Sequence, residues 1–212
     1  VRTYVVKSIF GPTLQGEGSL AGRRTLFVRF AGCNAWDGRA SSKATSLCPY
    51  CDTDFLGGER MSAVDIVERL RAIGRDGDLV TLSGGEPTLQ VDSALVDALV
   101  GAGFTLAIET NGTKAIPADV RARLHVTLSP KVPRVDVALD DCDDLKVLVP
   151  HPNPAITPEA FATFPARSRW VQPVNGVDDL DAASVARAVE AAMSLPGDWR
   201  LSMQLHKIAR IP

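Results

Sequence analysis

Three cysteines fall within one short stretch of the chain: Cys33, Cys48 and Cys51, the last two forming C-P-Y-C. Thiols so spaced suit three chemistries: disulfide exchange, half of a zinc site, or ligation of an iron–sulfur cluster. Exchange needs a ready thiolate, and Asp52 and Asp54 immediately downstream oppose one. A structural zinc ion takes four ligands, usually from two knuckles of Cys or His. His125, His151 and His206 lie far along the chain and form no second knuckle. A 4Fe–4S cluster normally takes four cysteines. With three, one iron keeps open positions for another ligand, as an enzyme that delivers an electron to a bound molecule would require. The cluster is the reading adopted, with zinc and dithiol chemistry as its rivals. Cys142, alone in D-D-C-D-D, has acidic neighbours that oppose ionisation and is read as inert.

The segment that carries the triad, residues 32–58, has no clear periodicity, and loops of that length in a compact domain are usually functional or disordered. Around it, short apolar runs predict strands at 25–30, 79–84, 104–110, 124–130, 144–150, 169–174 and 200–205. Near-continuous hydrophobicity over such lengths marks strands of a parallel sheet. Helical spacing appears after Ser62 and after Asp92 or Ser93, each a capping residue, and in an Ala-rich amphipathic run from Asp179 to Met193. Alternation of strand and helix predicts an α/β fold with right-handed crossovers. Ligands of such sheets bind beyond the carboxyl ends of the strands. Cys33, G-G-E-P, E-T-N-G, S-P-K and Q-P-V-N all fall there, which predicts one site with a large ligand.

Composition sets the bounds. A chain of 212 residues, 45% hydrophobic and 23% charged, suits one domain with a sizeable core. A net charge of −2 provides no footprint for nucleic acid or an anionic membrane. No apolar run approaches the roughly 20 residues of a span. The first residues lack the sectors of a signal peptide, so a cytoplasmic address is expected.

The triad followed by C-D-T, with S-G-G-E-P after the next strand, resembles the radical S-adenosylmethionine (SAM) enzymes. More narrowly, F-G-P-T-L-Q-G-E-G, F-V-R-F-A-G-C-N, C-D-T-D-F, S-G-G-E-P-T-L-Q, I-E-T-N-G-T and S-P-K together resemble the 7-carboxy-7-deazaguanine synthases of the queuosine and deazapurine pathway. The likeness runs from residue 10 to the end of the chain. One departure stands out: radical SAM enzymes usually space their cysteines C-x3-C-x2-C, whereas here the spacing is C-x14-C-x2-C, with an insertion at 34–47. The three can still converge, because closing a longer loop costs only logarithmically more.

The resemblance implies a single radical SAM core over 1–212, with an N-terminal substrate loop at 10–24, a cluster loop at 32–58 and a C-terminal extension at 199–212. A full (β/α)8 barrel needs about 250 residues, so the expected fold is a shortened, open partial (β/α) barrel of about six parallel strands. Its open edges favour a homodimer. The implied reaction converts 6-carboxy-5,6,7,8-tetrahydropterin to 7-carboxy-7-deazaguanine with loss of ammonia. It starts when an electron from flavodoxin or ferredoxin reaches the cluster and SAM is cleaved to a 5′-deoxyadenosyl radical, which takes hydrogen from C6. Cys33, Cys48 and Cys51 would hold the cluster, and Gly84, Gly85 and Glu86 the methionine ammonium. Tyr50 and Asp52 would meet the adenine. Ser129, Pro130 and Lys131, with Gln172, Pro173, Val174 and Asn175, would meet the rest of SAM. Arg29 would fork onto the substrate carboxylate, and Thr53 would hold Mg²⁺ beside it. Leu14, Gln15, Gly16, Thr88, His206 and the Pro212 carboxylate would read the pterin. An activase that makes a glycyl radical on a partner protein would share the cysteines and SAM ligands, but P-T-L-Q-G-E-G and C-D-T-D-F argue against it.

Overall fold

The computed structural model describes residues 2–176 and 179–212. Its strands are β1 (Thr3–Leu14), β2 (Arg24–Phe30), β3 (Glu59–Ser62), β4 (Leu79–Gly84), β5 (Thr105–Thr110), β6 (Leu124–Leu128), β7 (Cys142–Val149), β8 (Ala166–Pro173) and β9 (Trp199–Leu201). Helices are α1 (Ala40–Lys43), α2 (Ala63–Ile73), α3 (Ser93–Gly101), α4 (Ala118–Arg121), α5 (Ala182–Ser194) and α6 (Leu205–Ala209). All the strands join one open sheet in the order β3-β1-β2-β4-β5-β6-β7-β8-β9. From β2 to β9 every neighbour pairs in parallel. The parallel part is thus the expected open partial barrel, with the three-residue β9 as an extra edge.

The helices start where their caps predict. Ser62 and Asp65 form a reciprocal capping box at α2, and the Asp92 and Asp181 carboxylates accept the Leu95 and Ser184 N–H groups at the starts of α3 and α5. The helices cover the outer face of the sheet with an apolar core that includes Leu26, Val28, Leu82, Ile108, Val126, Val147 and Val171.

The inner face is another matter. Side chains alternate along a strand, and the positions opposite the core carry Thr25, Thr81, Glu109, Thr127, Asp144, Lys146 and Gln172, all buried except the half-buried Glu109. Buried polar groups must find partners. Thr25 and Thr81 share a 2.9 Å hydrogen bond across β2 and β4. Deeper in, Asp144 accepts the Ser19 amide at 2.9 Å and the Trp170 indole N–H at 3.2 Å.

Two segments depart from expectation. Residues 10–14 are strand rather than loop, because β1 runs on antiparallel to β2 through bulges between Val6 and Ser8 and between Phe10 and Thr13. At the other end, β9 stops at Leu201 rather than running to residue 205, and Gln204 caps α6 instead of lying in a strand.

Candidate active site

The carboxyl ends of the parallel strands open into a cleft of about 460 Å³, within the roughly 300–1,000 Å³ of ligand sites. Cys33 lies just beyond β2, whereas Cys48 and Cys51 come from the loop above, and all three line this cleft. The 34–47 insertion brings them there by folding back on itself: the Leu47 amide donates to the Ala35 carbonyl at 3.1 Å, and Gly32 donates to Phe55 O at 3.1 Å. Trp36 meets Phe55 edge-on, with ring centroids 5.5 Å apart, which gives the loop a small apolar base. Asn34 links it to the turn after β5 by donating to Thr113 Oγ1 at 2.7 Å and accepting from Asn111 at 3.0 Å.

Burial pushes the Cys33 thiol up, against the pull of the Ala35 and Trp36 amides. Cys51 and burial push the Cys48 thiol up, whereas Cys48 holds Cys51 down to about 6, so one of the three thiols ionises readily. Among the described residues no three His, Cys, Asp or Glu side chains converge on a single ion.

Close backbone approach explains the paired glycines at the end of β4. A Cβ on Gly84 would lie 2.2 Å from Phe30 O, and one on Gly85 would lie 2.0 Å from Gly32 O and 2.9 Å from the Cys33 Cβ. Gly84 also sits at φ +129°, a region that favours glycine. The Glu86 amide donates to Gly32 O at 2.9 Å, which ties this turn to the residue before Cys33.

Glu86 and Thr88 lie beneath the cleft rather than in it. The Glu86 carboxylate accepts from the Thr88 hydroxyl at 2.7 Å, the Thr110 hydroxyl at 2.8 Å and the Asn111 amide at 2.7 Å. Its oxygens are already engaged, so its side chain braces the turn, and Thr88 serves the brace rather than a ligand in the cleft. Pro130 is buried and does not line the cleft, whereas its neighbours Ser129 and Lys131 do. Burial lowers the Lys131 pKa, and its ammonium donates to Ser129 O at 2.9 Å and Oγ at 2.8 Å while facing the Tyr50 ring. Tyr50, Asp52, Thr53, Gln172, Pro173, Val174 and Asn175 also line the cleft.

Leu14, Gln15, Gly16, Arg29, His206 and Pro212 form a further part of the cleft wall. The Pro212 carbonyl accepts the Thr13 hydroxyl at 3.0 Å, and the Leu205 amide donates to Gly16 O at 3.0 Å, so the two ends of the chain meet here. The Arg29 Nε is buried with no protein partner, its guanidinium lies 5.5 Å from the centre of the Phe10 ring, and burial lowers its pKa. A buried guanidinium nitrogen without a partner is costly. An anion in the cleft would satisfy it.

Sequence reasoning missed a buried ionic group on this wall. Lys146 contacts Glu17 and lies 3.1 Å from Glu109, with Gln204 donating to Glu17 at 3.0 Å and Gln15 donating to Glu109 at 3.2 Å. Burial disfavours both carboxylates, but Lys146 holds Glu17 down to about 2 while Glu109 stays raised. A lysine inside the apolar run D-D-L-K-V-L-V was the available signal, since a charge in a strand buried on both faces must be paired. Lys207 donates to Asp52 at 2.7 Å, pinning the cluster loop to α6.

An open parallel sheet with three cysteines beyond its first parallel strand and a paired-glycine turn after the next defines the radical SAM class. Residues 43–162 match the Radical SAM superfamily. Two curated relatives named 7-carboxy-7-deazaguanine synthase are similar over nearly their whole lengths. That of Bradyrhizobium diazoefficiens is 41% identical, covering 97% of each chain, and that of Bordetella pertussis is 40% identical, covering 99% of each. The crystal structure of QueE from Escherichia coli shares the fold with a TM-score of 0.69, at 24% identity over 96% of this chain and 95% of that one. The chain belongs to the 7-carboxy-7-deazaguanine synthase family of radical SAM enzymes.

Proposed function

We propose that this protein is a radical SAM lyase that converts 6-carboxy-5,6,7,8-tetrahydropterin to 7-carboxy-7-deazaguanine with loss of ammonia. The observation that carries the reading is one cleft lined both by the three thiols and by Arg29, whose buried Nε has no protein partner. When bound, the cluster and SAM supply the 5′-deoxyadenosyl radical; the protein's part is to hold, orient and exclude. Cys33, Cys48 and Cys51 hold the cluster. The carbonyl edge of the turn at Gly84 and Gly85, braced from below by Glu86, faces the methionine ammonium. Tyr50 and Asp52, Ser129 and Lys131, and Gln172 to Asn175 enclose the rest of SAM. Arg29 forks onto the substrate carboxylate, and Leu14, Gln15, Gly16, His206 and Pro212 border the pterin ring. Thr53 supplies a hard oxygen for Mg²⁺ beside that carboxylate. A flavodoxin or ferredoxin as reductant, a cytoplasmic setting and a homodimer complete the reading. Among the described residues no helix is long and apolar enough to cross a membrane, and the open sheet leaves β3 and β9 as edges for pairing.

The test is cluster content and turnover under oxygen-free conditions. Alanine at Cys33, Cys48 or Cys51 is expected to remove iron, sulfide and product together. A variant lacking one of these thiols that still makes the deazaguanine would end the assignment. Arg29→Gln is expected to lower kcat/KM by about 10- to 100-fold, the worth of charge-assisted hydrogen bonds, mostly through KM. Arg29→Lys should recover little, because an ammonium cannot fork onto a carboxylate. Wild-type KM in Arg29→Gln would remove Arg29 from the substrate site.

A further inference from the structure

Two side chains near the end of the chain each join two separate stretches of the cleft region. Ser202 follows β9, Gln204 caps α6, and both are buried. The Ser202 hydroxyl accepts the Gly18 N–H at 3.1 Å and donates to Gln172 Oε1 at 2.9 Å. The Gln204 amide donates to Glu17 at 3.0 Å and accepts from Asn175 at 3.0 Å. Glu17, Gln172 and Asn175 line the cleft. Residues 15–17 belong to neither strand nor helix, so side-chain ties of this kind fix where they sit. Nothing in the proposed reaction uses Ser202 or Gln204.

The direction of each hydrogen bond is set by its outer partners. A backbone N–H only donates, so the Ser202 oxygen accepts from Gly18 and its own hydrogen is left for Gln172. Glu17, ionised beside Lys146, only accepts, so Gln204 turns its NH2 group there and its oxygen to Asn175. Asn175 agrees: its oxygen accepts the Asp181 N–H at 3.0 Å, which leaves its NH2 group for Gln204. Turning either amide over would set donor against donor, and buried polar groups do not go unpaired without cost. A backbone tie runs alongside, with the Leu205 N–H donating to Gly16 O at 3.0 Å.

We propose that Ser202 and Gln204 are positioning residues that clamp the pterin-side segment 15–18 to the SAM-side segment 172–175, so that each ligand prepares the site of the other. The inference rests on the cleft holding SAM and the pterin as proposed above. A ligand that fixes Gln172 and Asn175 also fixes Gly18 and Glu17 through the two bridges. The second ligand then meets a wall that is already ordered, and less conformational freedom is lost when it binds. Such coupling is reciprocal, so the pterin tightens SAM by the same factor.

The experiment uses the full chain with its cluster reconstituted anaerobically and no reductant, so that nothing turns over. Dissociation constants for 6-carboxy-5,6,7,8-tetrahydropterin are read by equilibrium dialysis with and without saturating SAM. The wild type should bind the pterin about tenfold more tightly with SAM present, within the usual range of coupling between sites. In Ser202→Ala and in Gln204→Leu the gain should fall to about threefold or less. Ser202→Thr keeps the hydroxyl and should keep most of the gain. No gain in the wild type, or the full gain in either Ser202→Ala or Gln204→Leu, would overturn the proposal. Hydrogen exchange on the wild type decides even where a variant does not fold. SAM alone should slow exchange of the amides at 15–18, and unchanged exchange there would overturn the clamp. A wild-type chain that binds neither SAM nor the pterin would instead remove the functional reading, and the clamp with it.

Discussion

Replacing Lys146 with methionine is expected to destabilise the protein by about 3–5 kcal/mol at neutral pH, the usual cost of removing one partner from a buried ion pair. Total stabilities of domains are about 5–15 kcal/mol, so much of the fold's margin would go. The reason is geometric. Lys146 stands between Glu17 and Glu109 on the inner face of the sheet, and without it two half-buried carboxylates are left without their counterion. The sign with pH follows. In the wild type Glu17 is held at about 2, below its ordinary 4.5, so its contribution is full above 4.5 and is lost as pH falls through about 2. In the variant both carboxylates lose their counterion and their folded-state pKa values rise above the unfolded ones. Their protonated forms then favour folding, so the deficit shrinks toward pH 4 and widens as pH rises. Urea unfolding at several pH values, with the slope m unchanged, checks both size and sign. A variant as stable as the wild type at neutral pH would mean that the group contributes nothing net. Adding Glu17→Gln to the variant should return part of the loss, because one uncompensated charge is gone.

Gly85→Ala is expected to leave a folded protein that assembles little cluster and turns over about a hundredfold more slowly, the scale on which a 1 Å displacement acts in an active site. The added methyl would overlap Gly32 O, a backbone atom that no side-chain rotation can move aside. Relief requires the end of β4 to separate from Gly32, which strains the Glu86-to-Gly32 hydrogen bond and moves Cys33. The loss should appear as missing iron and visible absorption rather than as a lower unfolding midpoint. Gly101→Ala is the control: nothing lies within 4 Å of its added methyl, and both cluster and activity should be retained. Full iron content in Gly85→Ala would show that the turn does not set the position of Cys33.

Much of this architecture could be read from residue order, because the signals were local. The run at 79–84 coincides with β4, and Ser62 caps α2 as its hydroxyl predicts. β1 was hidden because Gly11 and Pro12 interrupt its alternation, and the strand survives them only through pairing with β2. The final strand was drawn too long, since R-L-S-M-Q-L has strand-like alternation but Gln204 begins a helix that packs against Gly16. Within the cleft, motif residues were visible as motifs, yet the depth of each was not. Glu86 and Thr88 look like ligands in a linear reading and prove to be the brace under the turn, because Thr110 and Asn111 from β5 and its following loop reach the same carboxylate. Lys146 with Glu17, and Tyr50 with His151, join residues about a hundred or more positions apart, and no periodicity records such pairs.

The proposed reaction turns on hydrogen leaving the pterin ring by way of the SAM-derived radical in this cleft. The direct measurement is anaerobic turnover of the reconstituted enzyme with reductant, SAM, Mg²⁺ and 6-carboxy-5,6,7,8-tetrahydropterin carrying deuterium at C6. The predicted result is 7-carboxy-7-deazaguanine together with deuterium in 5′-deoxyadenosine, both lost when any of Cys33, Cys48 or Cys51 is replaced. Cleavage of SAM with no deuterium transferred and no deazaguanine formed would contradict it.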